Sequence, residues 1–507
     1  MKAVSAGEMR DIEAEVVRRG TPLDELMARA GRALATSVES HPRGEVLVLC
    51  GPGNNGNDGL IAASHLLRSG RGVTAYGFRR TDWHGFTGPG VSAEEDEELR
   101  RLDLALRRAA VVVDALLGIG AARPPSGLLA AIIERANQIP SGAWKLAVDI
   151  PTGVDADSGS VAGPAFKAAH TLCMGFLKRG VALFPGAEYA GTVEVADLGF
   201  PGDLAEGVTV SVPSPADVAA LLPRRGANTN KGSYGRVLFI GGSRDFAGAP
   251  ALAAEAAYRA GAGLVEVAVP AIVQPMVAAH LREAIFRPLA DHSGQIGEDS
   301  LPALRAALAH ALSVVLGPGM GLGDETLSVV EGVLDGMLGG DLRGAVVDAD
   351  ALNALARSDG WWQRSLPLVL TPHPGEMGRL TGMSVAAIQS DRLDVARRYS
   401  TLWQKIVVLK GAGTIVASPD GRATINPTGG PNLATAGTGD VLSGLIAGLL
   451  AQGTDPFDAA VAGVFLHGQA GDLAAADIGP VGTLASDLLP RIPRARHTVA
   501  ENSEVKK

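Results

Sequence analysis

The sequence predicts an α/β protein of two three-layer α/β/α domains, each built on a mostly parallel sheet. Three observations carry this. Short β-rich runs alternate with loops and helix-like runs along nearly the whole chain, the pattern of strands linked by crossover helices. A stretch rich in Pro, Ser and Asn, VTVSVPSPADVAALLPRRGANTNKGSYG, interrupts that pattern near residue 212. And 507 residues exceed what one ordinary core organises. The boundary falls there, giving domains at 1–212 and 216–500.

In the front half, EVLVLC (45–50) is a strand, followed by GPGNNGNDG as a loop and LIAASHLLRSG as a helix. GVTAYGF (72–78) is the next strand. AEEDEELRRLDLALRRAA reads as one charged amphipathic helix with a solvated face. AAVVVDALLG supplies a strand ending near Asp114, KLAVDIPTG another ending near Asp149, and HTLCMGF and TVEVAD follow. The back half starts afresh with RVLFIGGS, then LVEVAVP, LSVVLGPG, GAVVDAD, PLVLTPHPGE and KIVVLKGAGTIVAS. ATAGTGD then opens the apolar helix VLSGLIAGLL.

Composition narrows the function classes. A formal charge of −9 without interleaved basic and aromatic residues argues against nucleic acid as the partner. No run is long enough to span a bilayer, and MKAVSAGEMRDIEAEVV lacks an apolar signal core. Cys50 and Cys173 are far apart in apolar runs, as reduced core residues of a cytoplasmic protein would be. The expected partners are small molecules and, as a homo-oligomer, other copies of the chain.

Candidate site residues gather at strand ends, the edge where open α/β sheets bind ligands. GPGNNG fits G-x-G-x-x-G after a strand, and Arg79 and Arg80 end the next strand, so an NADP-dependent oxidoreductase is one reading. Asn54, Asn55, Asn57 and Asp58 exceed what a pyrophosphate turn needs, although an Asn-rich turn alone would also explain them. With Asp114, Asp149 and Thr152 they converge on one edge. Amide, hydroxyl and carboxylate oxygens suit a hard monovalent cation, and Asp149 suits acid or base work. Lys178 either fixes an anion or is an ordinary surface lysine.

In the back half the candidates are Ser243, Gly319, Gly321, Asp348, Asp350, His373, Glu376, Lys410 and Asp440. No G-x-x-x-x-G-K-[ST] motif exists, which excludes a P-loop NTPase. What remains for phosphoryl transfer is a glycine-rich anion hole at a helix start. The backbone N–H groups of GTG would steady the phosphoryl and Asp440 would take the acceptor hydroxyl's proton. The plain alternative makes Asp440 a helix N-cap.

NPTGGPNLATAGTGDVLSG, VVDADALN, TPHPGE and VLKGAGT together resemble the ribokinase-like ADP-dependent NAD(P)H-hydrate dehydratases. GPGNNGNDG, VVDALLGIG, VDIPTGVDADSG and FLKRG resemble the Rossmann-like NAD(P)H-hydrate epimerases. Their fusion in this order is similar to the bifunctional nicotinamide nucleotide repair family. The resemblance implies epimerisation of R and S hydrates in front and ADP-driven dehydration of the S form behind, with K+ in the first domain and Mg2+ in the second. It implies hydrate contacts at Asn54, Asn55, Gly56, Asn57, Asp58, Gly118, Ile119, Gly120, Ala121, Ala122, Arg123, Asp149 and Lys178. It implies potassium at Asn55, Asp114 and Thr152, with Asp149 as acid/base. In the dehydratase it implies hydrate contacts at Ala249, Gly319, Gly321, His373 and Asp440, the last catalytic. The nucleotide falls to Lys410, Gly411, Ala412, Gly413, Thr414 and Gly439. Departures are Asn57 in place of a glycine, GIGAARP without its usual acidic residue, and GGPNLA before the GTGD loop. A vitamin or sugar kinase with an accessory domain and a non-catalytic binding scaffold are the other readings.

Overall fold

The strand Glu45–Cys50 is apolar on both faces. Val46, Val48 and Cys50 enter one core with Leu34, Val38, Leu60 and Leu66, from the helices Leu23–Glu39 and Asn54–Arg68. Leu47 and Leu49 enter the opposite core with Leu102, Leu106, Ile132 and Ile133, from the helices Arg100–Arg108 and Gly127–Asn137. Period-two alternation between two apolar layers is what a central parallel strand requires. The computed structural model describes residues 1–41, 44–121, 123–139, 142–338 and 340–504, and it divides into two units, Met1–Ser211 and Val212–Lys507.

The first unit holds a 7-stranded sheet. Its order is Gly90–Ser92, Val73–Gly77, Glu45–Cys50, Ala109–Ala115, Trp144–Val148, His170–Met174, Thr192–Ala196, all parallel. The order reverses between Glu45–Cys50 and Ala109–Ala115, which opens a crevice at their carboxyl ends. A short strand, Ala3–Val4, runs parallel to Leu177–Lys178 with Val4 opposite Lys178. The helix Ala6–Arg18 follows it, capped by reciprocal bonds between Ser5 and Glu8. Arg179 reaches Glu8 at 2.7 Å and so ties this helix beside Lys178.

Two local expectations need correction. NNGND is not a loop: the helix begins at Asn54, directly after Gly53. Asn is a poor helix former inside a helix but is accepted in a first turn, where backbone N–H groups lack partners. The charged run at 93–110 is not one helix either. Asp96 is buried, takes N–H bonds from Arg101 and Leu102 at 2.9 Å, and the Tyr76 hydroxyl at 3.1 Å. The chain breaks around it, with Glu98 and Leu99 left-handed, and the helix is only Arg100–Arg108.

In the second unit the strands lie in the order Ala423–Ile425, Ile415–Ala417, Ile406–Leu409, Leu368–Leu370, Gly344–Val347, Ser313–Leu316, Arg236–Ile240, Leu264–Pro270, Ile285–Leu289. The pairing is parallel from Ile406–Leu409 to Ile285–Leu289 and antiparallel beyond Ile406–Leu409. KIVVLKGAGTIVAS is therefore two strands, and residues 410–414 are the turn between them.

The helix Thr438–Ala451 lies against Gly248–Ala260 with no room between backbones. A Cβ on Gly444 would meet the Ala253 carbonyl oxygen at 1.9 Å, and one on Gly448 the Ala257 carbonyl oxygen at 2.7 Å. These glycines thus serve packing. Gly444→Ala should destabilise the second unit by about 1–3 kcal/mol, the usual cost of overpacking, read as a lower urea midpoint. An unchanged midpoint would show that the two helices separate freely.

Candidate active sites

At the crevice of the first unit, Asp114 ends its strand fully buried. It accepts the Thr152 N–H at 2.8 Å, the Thr152 hydroxyl at 2.7 Å and the Leu116 N–H at 3.2 Å. Burial pushes its pKa up to about 6 against the pull of those bonds. Asn55 donates to the Leu117 carbonyl at 2.9 Å, and the Thr152 hydroxyl oxygen accepts the Leu117 N–H at 3.0 Å. Asn55, Asp114 and Thr152 are thus joined through one turn of backbone. Their donor set is all oxygen apart from the asparagine amide nitrogen, which fits a hard monovalent cation. Gly118 packs on Asn55, where an added Cβ would touch the Asn55 Cβ at 3.4 Å, and Gly120 is open. Leu117, Ala121 and Arg123 line a cleft of about 110 Å³ with Gly153, Val154 and Asp155. Ile119 packs beside the apolar cluster of the first helix, and Ala122 lies outside the described residues.

Asp149 follows its strand with φ +68°, a left-handed conformation that aspartate tolerates better than most residues. The turn is held by its N–H to the Leu172 carbonyl at 2.8 Å. Its carboxylate accepts the Met174 N–H at 2.9 Å and forms an ion pair with Lys178. Lys178 also donates to the Met174 carbonyl at 2.7 Å, and its side chain is 1% exposed. The surface-lysine reading is overturned.

Two further carboxylates face this pair. Asp58 Oδ1 is buried and has no hydrogen-bond partner among the described residues. Burial, then Asp149 and Glu13, push the Asp58 carboxyl well above the ordinary range, against Lys178. Glu13, on the helix Ala6–Arg18, is also raised, by burial first, with Lys178 opposing and Asp149 adding. Sequence reading passed over Glu13, yet it left a signal. Met9, Ile12 and Val16 form that helix's buried stripe, and Glu13 interrupts it at a helical spacing.

Asn57 and Arg80 are engaged with each other. Arg80 is buried, its guanidinium bonded to the Gly51 carbonyl and the Asn57 amide oxygen, while the Asn57 nitrogen reaches the Met27 sulfur. Arg80 therefore braces the loop, which takes one of the two arginines away from the oxidoreductase reading. Gly56 is required below it, since a Cβ there would lie 2.0 Å from the Gly51 carbonyl oxygen.

In the second unit Lys410 pairs with Asp348 at 2.7 Å and approaches Glu376 at 3.7 Å. Ser443, also passed over in the sequence, donates to the other Asp348 oxygen at 2.7 Å. Burial disfavours the Lys410 charge, but Asp348 and Glu376 outweigh it and raise its pKa. A Cβ on Gly439 would begin 3.6 Å from Lys410 Nζ and 3.8 Å from Asp348 Oδ2. Asp440 lies next to it in the first helical turn; the cap itself is Gly437, so Asp440 is not the N-cap. Burial, then Asp348, push the Asp440 carboxyl up to about 7, with Lys410 opposing.

His373 caps the helix Pro374–Thr381 by accepting the Gly375 and Glu376 N–H bonds at Nδ1, at 2.9 and 3.3 Å. The proton of the neutral ring is thereby placed on Nε2. Burial, Lys410 and Arg379 lower its pKa and keep it neutral. Gly319 packs on Phe246 and Ala249, and the Gly321 N–H is held by Asp350 at 2.9 Å. Thr414 closes the 410–414 turn onto the Gly411 carbonyl at 2.9 Å. The structure therefore gathers Lys410, Gly439, Asp440 and Asp348, with His373 in electrostatic reach. Phe246, Ala249 and Gly319 form a second group. A larger cleft of about 610 Å³ around Trp362 and Lys405 adjoins the amino end of Ile406–Leu409 and holds none of these groups.

Removing one partner of a buried ion pair leaves the other uncompensated, at a cost of about 3–5 kcal/mol. Lys178→Met should destabilise the first unit on that scale in denaturant unfolding. Adding Asp149→Asn should recover much of the loss. Two losses that simply add would show that the ion pair is not the source of the stability.

The geometry can be set beside known proteins. The family model described as NAD(P)H-hydrate dehydratase matches residues 237–494, and the model described as YjeF-related protein N-terminus matches residues 23–180. The bifunctional NAD(P)H-hydrate repair enzyme of Moorella thermoacetica is 42% identical over 504 residues, spanning 94% of this chain and 93% of that protein. Its Escherichia coli counterpart is 36% identical, spanning 94% and 90%. The ADP/ATP-dependent NAD(P)H-hydrate dehydratase of Bacillus subtilis, co-crystallized with ATP/Mg2+, is 32% identical with a TM-score of 0.51. It covers 58% of this chain and 100% of its own. A ribokinase-like superfamily protein from Enterococcus faecalis is 26% identical, with a TM-score of 0.51 over 58% of this chain and 97% of its own. A family match over one unit and relatives matched nearly end to end lead to one statement: this chain belongs to the bifunctional NAD(P)H-hydrate repair enzyme family.

Proposed function

We propose that the first unit interconverts the R and S hydrates of NADH and NADPH and that the second dehydrates the S form with ADP, giving AMP and phosphate. The observation that carries the reading is the Asp440 site. A glycine-opened helix start, which favours an anion, carries a carboxylate whose pKa is raised to about 7 beside a partly buried lysine. That combination suits phosphoryl transfer to a hydroxyl. Asp440 takes the proton of the C6 hydroxyl as its oxygen bonds to phosphorus. Lys410 and the backbone of residues 411–414 and Gly439 hold the nucleotide. His373 donates from Nε2 to the hydrate, which rests against Ala249, Gly319 and Gly321. The nitrogen lone pair then expels phosphate from C6, and loss of a proton from C5 forms the C5=C6 bond and returns the pair to nitrogen, which restores the ring. Mg2+ bound with the nucleotide would supply positive charge against its phosphates.

In the first unit Asp149 binds the hydrate and exchanges protons with it, and residues 54–58 and 118–123 enclose it. Asn55, Asp114 and Thr152 would hold K+, which would supply a fixed positive charge near the ligand. A cytoplasmic setting belongs to the same reading, since Cys50 and Cys173 are free thiols.

The direct test is recovery of reduced-cofactor absorbance from mixed R and S NADH hydrate with ADP. A stable phosphorylated product would instead point to a kinase. Asp440→Asn should slow dehydration about a hundredfold or more, the scale of a positioned base, and leave epimerisation unchanged. Only the ionised carboxylate accepts a proton, so wild-type dehydration should rise with pH through about 7. A flat profile across that region would reduce Asp440 to a structural residue. Asp149→Asn should repair the S fraction quickly and then stall, and the isolated front domain should restart it. Completion in one fast phase would remove Asp149 from the epimerisation.

A further inference from the structure

We infer that Asp58 is the second proton-carrying carboxylate of the epimerisation site, acting on one face of the ring where Asp149 acts on the other, and that Glu13 is its positioning residue. This rests on the epimerase reading of the first unit. Epimerisation inverts a single carbon, so the hydroxyl leaves from one face and water returns to the other. One carboxylate fixed in the fold serves one face; inverting glycosidases divide the same task between two.

The structure separates the two carboxylates by environment. Asp149 is ion-paired with the Lys178 ammonium and accepts the Met174 N–H. Asp58 has a buried oxygen with no hydrogen-bond partner among the described residues. The charged groups facing it are Asp149 beyond its strand, Lys178 on the short edge strand and Glu13 on the first helix. One lysine stands among three carboxylates, and it is already paired. The remaining carboxyls hold their protons more tightly, by burial and by mutual repulsion. Glu13 is kept in place by the pairing of Val4 with Lys178 and by the Glu8–Arg179 bond.

The steps balance. The ring nitrogen lone pair forms a C6=N bond as the C6–O bond breaks with its electron pair. The proton of Asp58 goes to the departing oxygen, which leaves as water. A water adds from the opposite face, the π pair returns to nitrogen, and the proton lost by that water goes to Asp149. The reverse conversion runs through the same groups with their roles exchanged. Exchange with solvent resets the carboxylates between turnovers.

The test uses the full chain, without ADP, and follows exchange between chromatographically separated R and S NADH hydrates across pH. Wild-type exchange should fall on a basic limb as the Asp58 proton is lost. Asp58→Asn should lower kcat about a hundredfold or more with little change in KM and should abolish the basic limb. Dehydration of the S form with ADP should persist in that variant. Glu13→Gln removes a like charge, so Asp58 should lose its proton more easily and the basic limb should move to lower pH. Near wild-type kcat, or an intact basic limb, in Asp58→Asn overturns the acid role. An unmoved limb in Glu13→Gln overturns the positioning role, and it remains readable should Asp58→Asn fail to fold. A wild-type chain that exchanges no epimers overturns the epimerase reading itself, and this inference with it.

Discussion

Each sheet ends, at its carboxyl edge, in a lysine paired with a buried aspartate: Lys178, itself buried, with Asp149, and the partly buried Lys410 with Asp348. Such pairs are expensive, because two charges leave water and only good geometry returns the loss. Here the spare valences are filled, by the Met174 N–H and carbonyl in one unit and by the Ser443 hydroxyl in the other. The pair then sets the terms for its neighbours. Asp58 and Glu13 face the first lysine, and Glu376 and Asp440 the second, but each lysine has already been matched. An extra buried carboxylate without its own cation is driven toward its protonated form. Burial raises all four, carrying Glu376 and Asp440 to about 7 and Asp58 and Glu13 above the ordinary carboxyl range, and neither lysine is free to offset it.

The strands were legible because their physics is local. Glu45–Cys50 and Ser313–Leu316 are short β-branched runs, apolar on both sides, and nothing but a central strand accommodates them. The residues at their carboxyl ends followed from the same reading. Asn54 as a helix start was not legible, because Asn-Asn-Gly signals a turn by propensity and only Gly53 and the packing of Gly56 on Gly51 make it a first helical turn. The break at Asp96 was hidden for a similar reason. An acidic residue in a charged run looks solvated until the Tyr76 hydroxyl and two backbone N–H groups are found around it.

Long-range pairing was the hardest part to read. Lys178 looks like any lysine after a strand, and its burial depends on Asp149 lying across the neighbouring strand end. Glu13 depends on a two-residue strand, Ala3–Val4, that no propensity would single out. The glycines running from ATAGTGD into VLSGLIAGLL serve two different ends. Glycine beside a candidate anion site invites a ligand explanation, which fits Gly437 and Gly439 at the helix start. Gly444 and Gly448, one and two turns further on, answer only to the backbone of Gly248–Ala260. One stretch therefore carries two unrelated demands, chemistry at its first turn and helix packing at the rest.

The two activities need share nothing but dissolved ligand. Epimerisation only brings R and S hydrates to their equilibrium ratio, so by itself it repairs nothing. Dehydration linked to cleavage of a phosphoanhydride is strongly downhill, but it draws on one epimer. In sequence, removal of S pulls R through the first site by mass action, whatever the distance between the sites. This makes the chemical demands on the two carboxylate groups different. The first site must work equally in both directions, which suits acids whose roles exchange between the two faces of the ring. The second must run one way, which suits a single base at a helix start and a leaving group made good by phosphate. The proposed pairing of Asp58 with Asp149 at the first site, and the proposed base Asp440 at the second, match that difference in direction.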